Sequence, residues 1–353
     1  MKIKLAILEK DASYLNRIVA VFNTKYADKF EVYSFTDMNG ALATIESSKI
    51  DVLLASDLYE VKTEMLPRRC GFAYFVDSAD VESVREQRAI CKFQKIDLIY
   101  KQILSIYSEN AGDVIGMKMT GESCKLVTFV PTSGGVGAST MAAAAAVHWA
   151  SQGKKTLYLN FETFGGSDVF FTGEGQFSMS DIIYALKSRK TNLALKLESC
   201  VKQDNSGVYF YAQPGLALDL MEMTNDEKIH LLSEINILGS YDVVVVDMDF
   251  QLDKPHMDLY HKMNAMVLVG DGSEVSNLKI QRALAALQIL EENKDEPLTQ
   301  RLALIYNKFS NKTCKVIDGL QIENIGGAPR YEHATVAQVL GALSAMDMFD
   351  KIF

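Results

Sequence analysis

The run Pro131-Thr132-Ser133-Gly134-Gly135-Val136-Gly137-Ala138-Ser139-Thr140 follows an apolar strand candidate, Leu126 to Val130, and opens an alanine-rich helix that Gly153 closes. Strand, glycine-rich turn and helix in this order are what a phosphate-binding loop requires. Glycines let the backbone approach phosphate oxygens, its N–H groups converge on them, and the helix N-terminus adds a favourable dipole. The candidate nucleotide contacts are Ser133, Gly134, Gly135, Val136, Gly137, Ala138, Ser139 and Thr140, and Ser139 stands where a hydroxyl that ligates Mg²⁺ is expected. Further on, Tyr241-Asp242-Val243-Val244-Val245-Val246-Asp247 reads as a buried strand whose terminal carboxylate would hold Mg²⁺ through water. Each run alone has a plainer meaning, a glycine turn or a core strand. Their order in one chain points to nucleotide chemistry.

The elements that must carry these residues alternate short apolar runs with helical periodicity, the pattern of a parallel sheet covered by helices. Strands are expected at Lys4 to Leu8, Phe30 to Tyr33, Val52 to Ala55 and Phe72 to Val76. Helical stripes run through Leu15, Ile18, Val19 and Phe22, through Met38, Ala41, Leu42 and Ile45, and through Ile99, Ile103 and Ile106. These four belong to what reads as a five-strand α/β domain over 1–108. A polar, glycine-containing stretch at 109–122 reads as a linker. The second domain, 123–353, has strands at Leu126 to Val130, Thr156 to Phe161, Asp242 to Val246, Ala265 to Gly270 and Leu302 to Tyr306.

Gly134, Gly135, Gly137 and Ser139 resemble the deviant Walker A motif of the MinD/ParA ATPases, KGGxGK[ST]. Ser133 and Ala138 stand in place of its two lysines, the one that reaches the partner subunit's nucleotide and the one that bridges the β- and γ-phosphates. Losing a charged hydrogen bond costs about 1.5–3 kcal/mol, so affinity is expected to fall roughly tenfold to a hundredfold while backbone contacts and Mg²⁺ survive. The resemblance places Glu162 where the switch carboxylate positions the attacking water, with Asn160 replacing the first acid of a D-x-D pair. It also places Asn307 facing adenine and Pro329, in Gly327-Ala328-Pro329-Arg330, on a loop closing over the base.

The first 108 residues resemble response-regulator receivers, a flavodoxin-like fold. Glu9 and Lys10 fall where two acids bind Mg²⁺, Asp57 at the phosphoacceptor, and Ser78 and Lys92 at the switch hydroxyl and the lysine that contacts the phosphoryl group. A cation at Lys10 reduces the attraction for Mg²⁺ and is able to pair with Asp57. A pseudo-receiver used for dimerisation or docking is expected rather than a phosphoacceptor.

A receiver-like domain fused to a P-loop NTPase domain with a mainly parallel sheet, together with Asn160-Phe161-Glu162-Thr163-Phe164-Gly165-Gly166-Ser167-Asp168-Val169, resembles the TadZ/CpaE family. The resemblance implies an ATP-binding localisation and scaffold component of the Flp (Tad) type IV pilus assembly and secretion system, recruited to the cell pole. ATP with Mg²⁺ would favour a homodimer, with weak or no hydrolysis, and the partners would be pilus assembly components. The alternatives are an active MinD/ParA-type ATPase that cycles on nucleotide in partitioning or positioning, and an atypical response regulator acting through Asp57.

Composition narrows the classes. A net charge of -9 over 353 residues gives no general attraction toward nucleic acid or anionic lipid. Five scattered cysteines without a CxxC pair argue against disulfides and zinc. No apolar run reaches the roughly 20 residues of a membrane span, and no signal-peptide core is present, so a cytoplasmic protein is expected, peripheral to membrane at most through partners. Val336, Val339, Leu340, Leu343 and Met346 form an apolar stripe without flanking Lys or Arg, expected to pack on the second domain's sheet.

Overall fold

Contacts in the computed structural model divide the chain into two units, Met1–Gly116 with Tyr184–Cys200, and Met117–Ile183 with Val201–Phe353. The described residues are 2–110, 124–188, 191–292, 295 and 297–353. The linker expected at 109–122 lies, from 111 onward, outside them.

The first unit holds β1 (Ile3–Leu8), α1 (Ala12–Lys25), β2 (Phe30–Phe35), α2 (Met38–Ser47), β3 (Val52–Ser56), β4 (Gly71–Val76), β5 (Ser83–Val84), β6 (Gln87–Cys91) and α3 (Ile96–Asn110). The sheet order is β2-β1-β3-β4-β6-β5, parallel except for the β5–β6 pair. Asp11 starts α1 by accepting hydrogen bonds from the backbone N–H groups of Ser13 and Tyr14. Leu15, Ile18 and Phe22 of α1 and Ile99 and Ile103 of α3 bury one face of the sheet, while Ala41 and Ile45 of α2 cover the other. Arg85 and Glu86 both take positive φ, 48° and 63°, which makes the β5–β6 connection a two-residue hairpin turn of the primed kind. The expected five-strand unit therefore gains a short antiparallel edge.

The chain continues through β7 (Lys125–Pro131), α4 (Ala138–Ser151), β8 (Thr156–Asn160), α5 (Met179–Ser188), α6 (Leu193–Cys200), β9 (Lys202–Gln203), β10 (Tyr209–Phe210), α7 (Ala217–Met221) and α8 (Asn225–Leu238). It ends with β11 (Val243–Asp247), α9 (Lys254–Tyr260), β12 (Ala265–Gly270), α10 (Glu274–Leu290), β13 (Leu302–Phe309), β14 (Glu323–Pro329) and α11 (Val336–Ser344). Strand order is β14-β13-β12-β7-β11-β8-β10-β9, parallel except for β9. Gly327 to Pro329, expected as a loop over the base, instead belong to strand β14, paired to β13.

Helix α4 is apolar nearly all round and accordingly buried on every side, with Ala142 to Ala146 fully inaccessible. Helix α11 packs against it. Leu343 and Phe349 are fully buried in the same core, Val339 and Leu340 lie against it, and His148 of α4 hydrogen-bonds the carbonyl of Ser344 at 2.8 Å. Of the C-terminal apolar stripe, Leu343 is buried and Val339, Leu340 and Met346 pack against the core, while Val336 stays exposed. No helix among the described residues is long and apolar enough to cross a membrane.

Helix α6, although late in sequence, belongs to the first unit. Lys196, 4% exposed, donates to Ser105 Oγ of α3 at 2.9 Å, and Glu198 accepts from the Tyr100 hydroxyl at 2.6 Å and pairs with Lys29.

Candidate nucleotide site

The loop between β7 and α4 owes its shape to Gly137, the α4 cap, whose φ of 85° is costly for any residue with a Cβ. A Cβ there would also stand 2.5 Å from Nδ2 of Asn307. That amide donates to the carbonyl of Val136 at 2.8 Å, so the end of β13 holds the loop from behind. Asn307, expected to face adenine, has its amide committed to the loop, and its Oδ1 accepts from the backbone N–H of Lys308. Nothing lies within 4 Å of a Cβ built on Gly134 or Gly135, so the space over these two residues is open.

Neither replaced lysine position carries charge. Ser133 hydrogen-bonds Ser276 of α10 at 3.3 Å, and Ala138 is buried in the core beneath the loop. The sequence reading missed Lys308, whose ammonium donates to the carbonyl of Gly135 at 2.7 Å.

Beside the loop the ends of β8 and β11 bring acids together. Asp247 pairs in register with Asn160, and both side chains are buried. An aspartate at 160 would set two carboxylates facing each other across neighbouring strands. The asparagine instead donates to Asp247 Oδ2 at 3.4 Å and accepts from the N–H of Glu162 at 2.8 Å. The Tyr158 hydroxyl donates to the same Oδ2 at 2.6 Å. Burial, then the charge of Glu162, pushes the Asp247 carboxyl up to about 8, and Ser139 opposes that shift. Burial raises Glu162 as well, again opposed by Ser139, which therefore lies beside both carboxylates. Asp249, not singled out from sequence although it closes an Asp-Met-Asp run, accepts from the N–H and hydroxyl of Thr163 at 3.1 Å.

These residues fit a divalent cation bound together with phosphate. Oδ1 of Asp247 is buried without a hydrogen-bond partner among the described residues, and the Ser139 hydroxyl lies beside the same carboxyl group. No group of three or more His, Cys, Asp or Glu side chains placed to hold a metal ion is present among the described residues, so water and phosphate would have to complete the shell of Mg²⁺. Ser139, Glu162 and Asp247 thus gather on one side of the loop. Pro329 stands apart, opposite Phe309, in the wall of a cavity of about 610 Å³ shared with Tyr306, Val316 and Asn324.

In the first unit, Lys92 takes the centre of the receiver-like pocket. Its ammonium lies 3.0 Å from Oε2 of Glu9, which is buried, and 2.9 Å from Oδ1 of Asp77. Burial acts against the charged lysine, but hydrogen bonds to Asp77 and Glu9 outweigh it and its pKa is raised. Asp57 is not joined to this cluster. Among the described residues its carboxylate has no ion pair, and Lys10, read as its partner, lies over the Tyr59 ring at 5.1 Å. Ser78 accepts from the N–H of Asp80. Asp77 was not foreseen.

Residues 1–108 match the family model described as "TadZ-like, receiver domain". Among solved structures, a ParA family ATPase from Chlorobium tepidum TLS aligns at TM-score 0.50 and 18% identity, over 65% of this chain and 96% of that one. The MinC:MinD cell division complex of Aquifex aeolicus gives 0.48 at 16% identity, over 65% and 94%. No curated protein matches the chain.

Proposed function

We propose that this chain, which joins a TadZ-like receiver domain to a fold of the ParA type, is a positioning protein that binds ATP and Mg²⁺ on the Ser133 to Thr140 loop. The observation that carries the reading is the open, glycine-lined loop at the N-terminus of α4, held by Asn307 and flanked by Ser139 and the underpartnered Asp247. Converging N–H groups and the helix dipole favour a polyphosphate there. Ser139 and Asp247 would hold Mg²⁺, whose bound charge would offset that of the phosphates.

With neutral residues at both lysine positions, nucleotide acts chiefly as a ligand that favours a homodimer over the monomer, by binding the dimer better. The dimer serves as a cytoplasmic scaffold for Flp (Tad) pilus assembly components at the cell pole. The receiver domain acts as a docking module, since Lys92 fills its pocket and leaves Asp57 outside. The position of Glu162 beside Ser139 favours a second reading, slow hydrolysis with that carboxylate orienting water.

Calorimetry with ATP and ADP in Mg²⁺, run beside light-scattering mass and phosphate release, tests all three points. Micromolar ATP binding, a dimer and negligible turnover are expected. Absence of binding at millimolar ATP would leave a fold without this chemistry, and steady turnover would favour the second reading.

A further inference from the structure

A loop made only of N–H groups and a helix N-terminus compensates little of a polyphosphate's charge, about half an elementary charge from the dipole. Here Ser133 is turned to Ser276 and Ala138 is buried, so no cation comes from the loop itself.

One comes from the end of β13. Lys308 has a φ of 57°, the left-handed region that residues with a Cβ adopt only where surrounding contacts hold them. Those contacts are present: Asn307 is anchored to Val136, and its Oδ1 accepts the N–H of Lys308 at 2.9 Å. The register of β13 against β14 shifts between Tyr306 and Phe309, so the Asn307-Lys308 pair is released from the ladder. The turned backbone sends the lysine across the loop. Its Cε lies 3.6 Å from the Cβ position of Gly137, and its Nζ lies 2.7 Å from the Gly135 carbonyl. An ammonium has three donors, and this contact uses one. Lys228, a second lysine among the described residues near the site, sits over the Phe161 ring at 5.5 Å, and burial lowers its pKa against the opposing charge of Asp249, which places it beside the acids and not on the loop.

We infer that Lys308 is the positioning cation of the phosphate loop, fixing it through Gly135 and adding to bound polyphosphate the charge that the loop lacks. This rests on the nucleotide-binding reading above.

The test uses the full chain as wild type, Lys308→Arg and Lys308→Gln, with ATP, tripolyphosphate and adenosine titrated by calorimetry at two salt concentrations. Glutamine keeps a neutral donor for Gly135 while removing charge, and arginine keeps the charge. Lys308→Gln is expected to bind ATP and tripolyphosphate roughly tenfold or more weakly, with a shallower salt dependence. Its adenosine affinity should be unchanged, and Lys308→Arg should recover most of the loss. Amide exchange over 134–138 without ligand should remain close to wild type in Lys308→Gln, which separates lost charge from a disordered loop. ATP affinity equal to wild type in Lys308→Gln overturns the inference and leaves the nucleotide reading standing. Equal weakening of adenosine, or no recovery by arginine, also overturns it. A wild type that binds neither ATP nor tripolyphosphate sinks both.

Discussion

The hydroxyl of Tyr158 donates to Oδ2 of Asp247 at 2.6 Å, with both residues wholly inside the second unit between β8 and β11. The tyrosine stabilises the charged form of a carboxylate that burial and Glu162 disfavour. Its own ionisation is pushed well above 10 by burial and by that same carboxylate.

The pH dependence follows from the sign of the Asp247 shift. A carboxyl raised from 3.8 to about 8 contributes stability that is fully present below 3.8 and lost as pH rises through 8. Asp247→Asn should therefore flatten the pH dependence of urea unfolding between these limits and stabilise the nucleotide-free protein at pH 9 relative to wild type. Tyr158→Phe removes the donor and should cost about 1–3 kcal/mol, most of it above pH 8, where the carboxylate is charged. A Tyr158→Phe deficit that is equal at pH 5 and pH 9 would contradict this.

The Lys92 pair gives a second prediction. Glu9 is 1% exposed and Asp77 is largely solvated, so removing the ammonium strands Glu9 rather than Asp77. Lys92→Met should lose about 3–5 kcal/mol, the usual cost of leaving a buried charge unpaired. Adding Glu9→Gln should restore most of it. In the wild type the raised lysine contributes stability that is present below its ordinary 10.5 and lost as pH rises through the higher folded value. A small phosphodonor is expected to leave Asp57 unmodified, as judged by intact mass.

Thiol chemistry supplies a third. Burial holds the Cys70 thiol up near 12 and that of Cys124 near 11, and Cys200 is 1% exposed. Cys91 and Cys314 are half-buried. Of the five free thiols, these two should react first with a disulfide reagent at pH 8, the others only on unfolding. Early loss of Cys70 would contradict the packing around β4.

Much of the frame was legible because period and composition agree: Val243 to Val246 and Ala142 to Ala146 are apolar runs whose only stable place is a core. The hairpin at Arg85 and Glu86 was not legible, since neither residue is a usual left-handed turn former. The guanidinium of Arg85 offsets the turn's strain by donating to the carbonyls of Asp57 and Tyr59, contacts that no local pattern encodes. Strand β14 was hidden because Gly327 to Arg330 read as a loop, although Ala328 within that run and Ile325 just before it are buried. The site shows the same division. Ser139 and Asp247 follow from motif order, while Lys308 acts through a backbone reversal, and Lys92 chose Asp77 over Asp57 for reasons of three-dimensional reach.

Two glycines of the loop separate shape from ligand space. At Gly137 a methyl group meets both a left-handed backbone and Nδ2 of Asn307 at 2.5 Å. Gly137→Ala should therefore destabilise the fold, by about 1–2 kcal/mol from the backbone alone. It should also release Asn307 from Val136 and speed amide exchange through 133–139. At Gly134 φ is not positive and nothing lies within 4 Å, so Gly134→Ala should melt like wild type. Its methyl group instead enters the open space where the phosphates are placed, and ATP affinity should fall while stability holds. If Gly134→Ala binds ATP as well as wild type does, the phosphates do not lie over that residue.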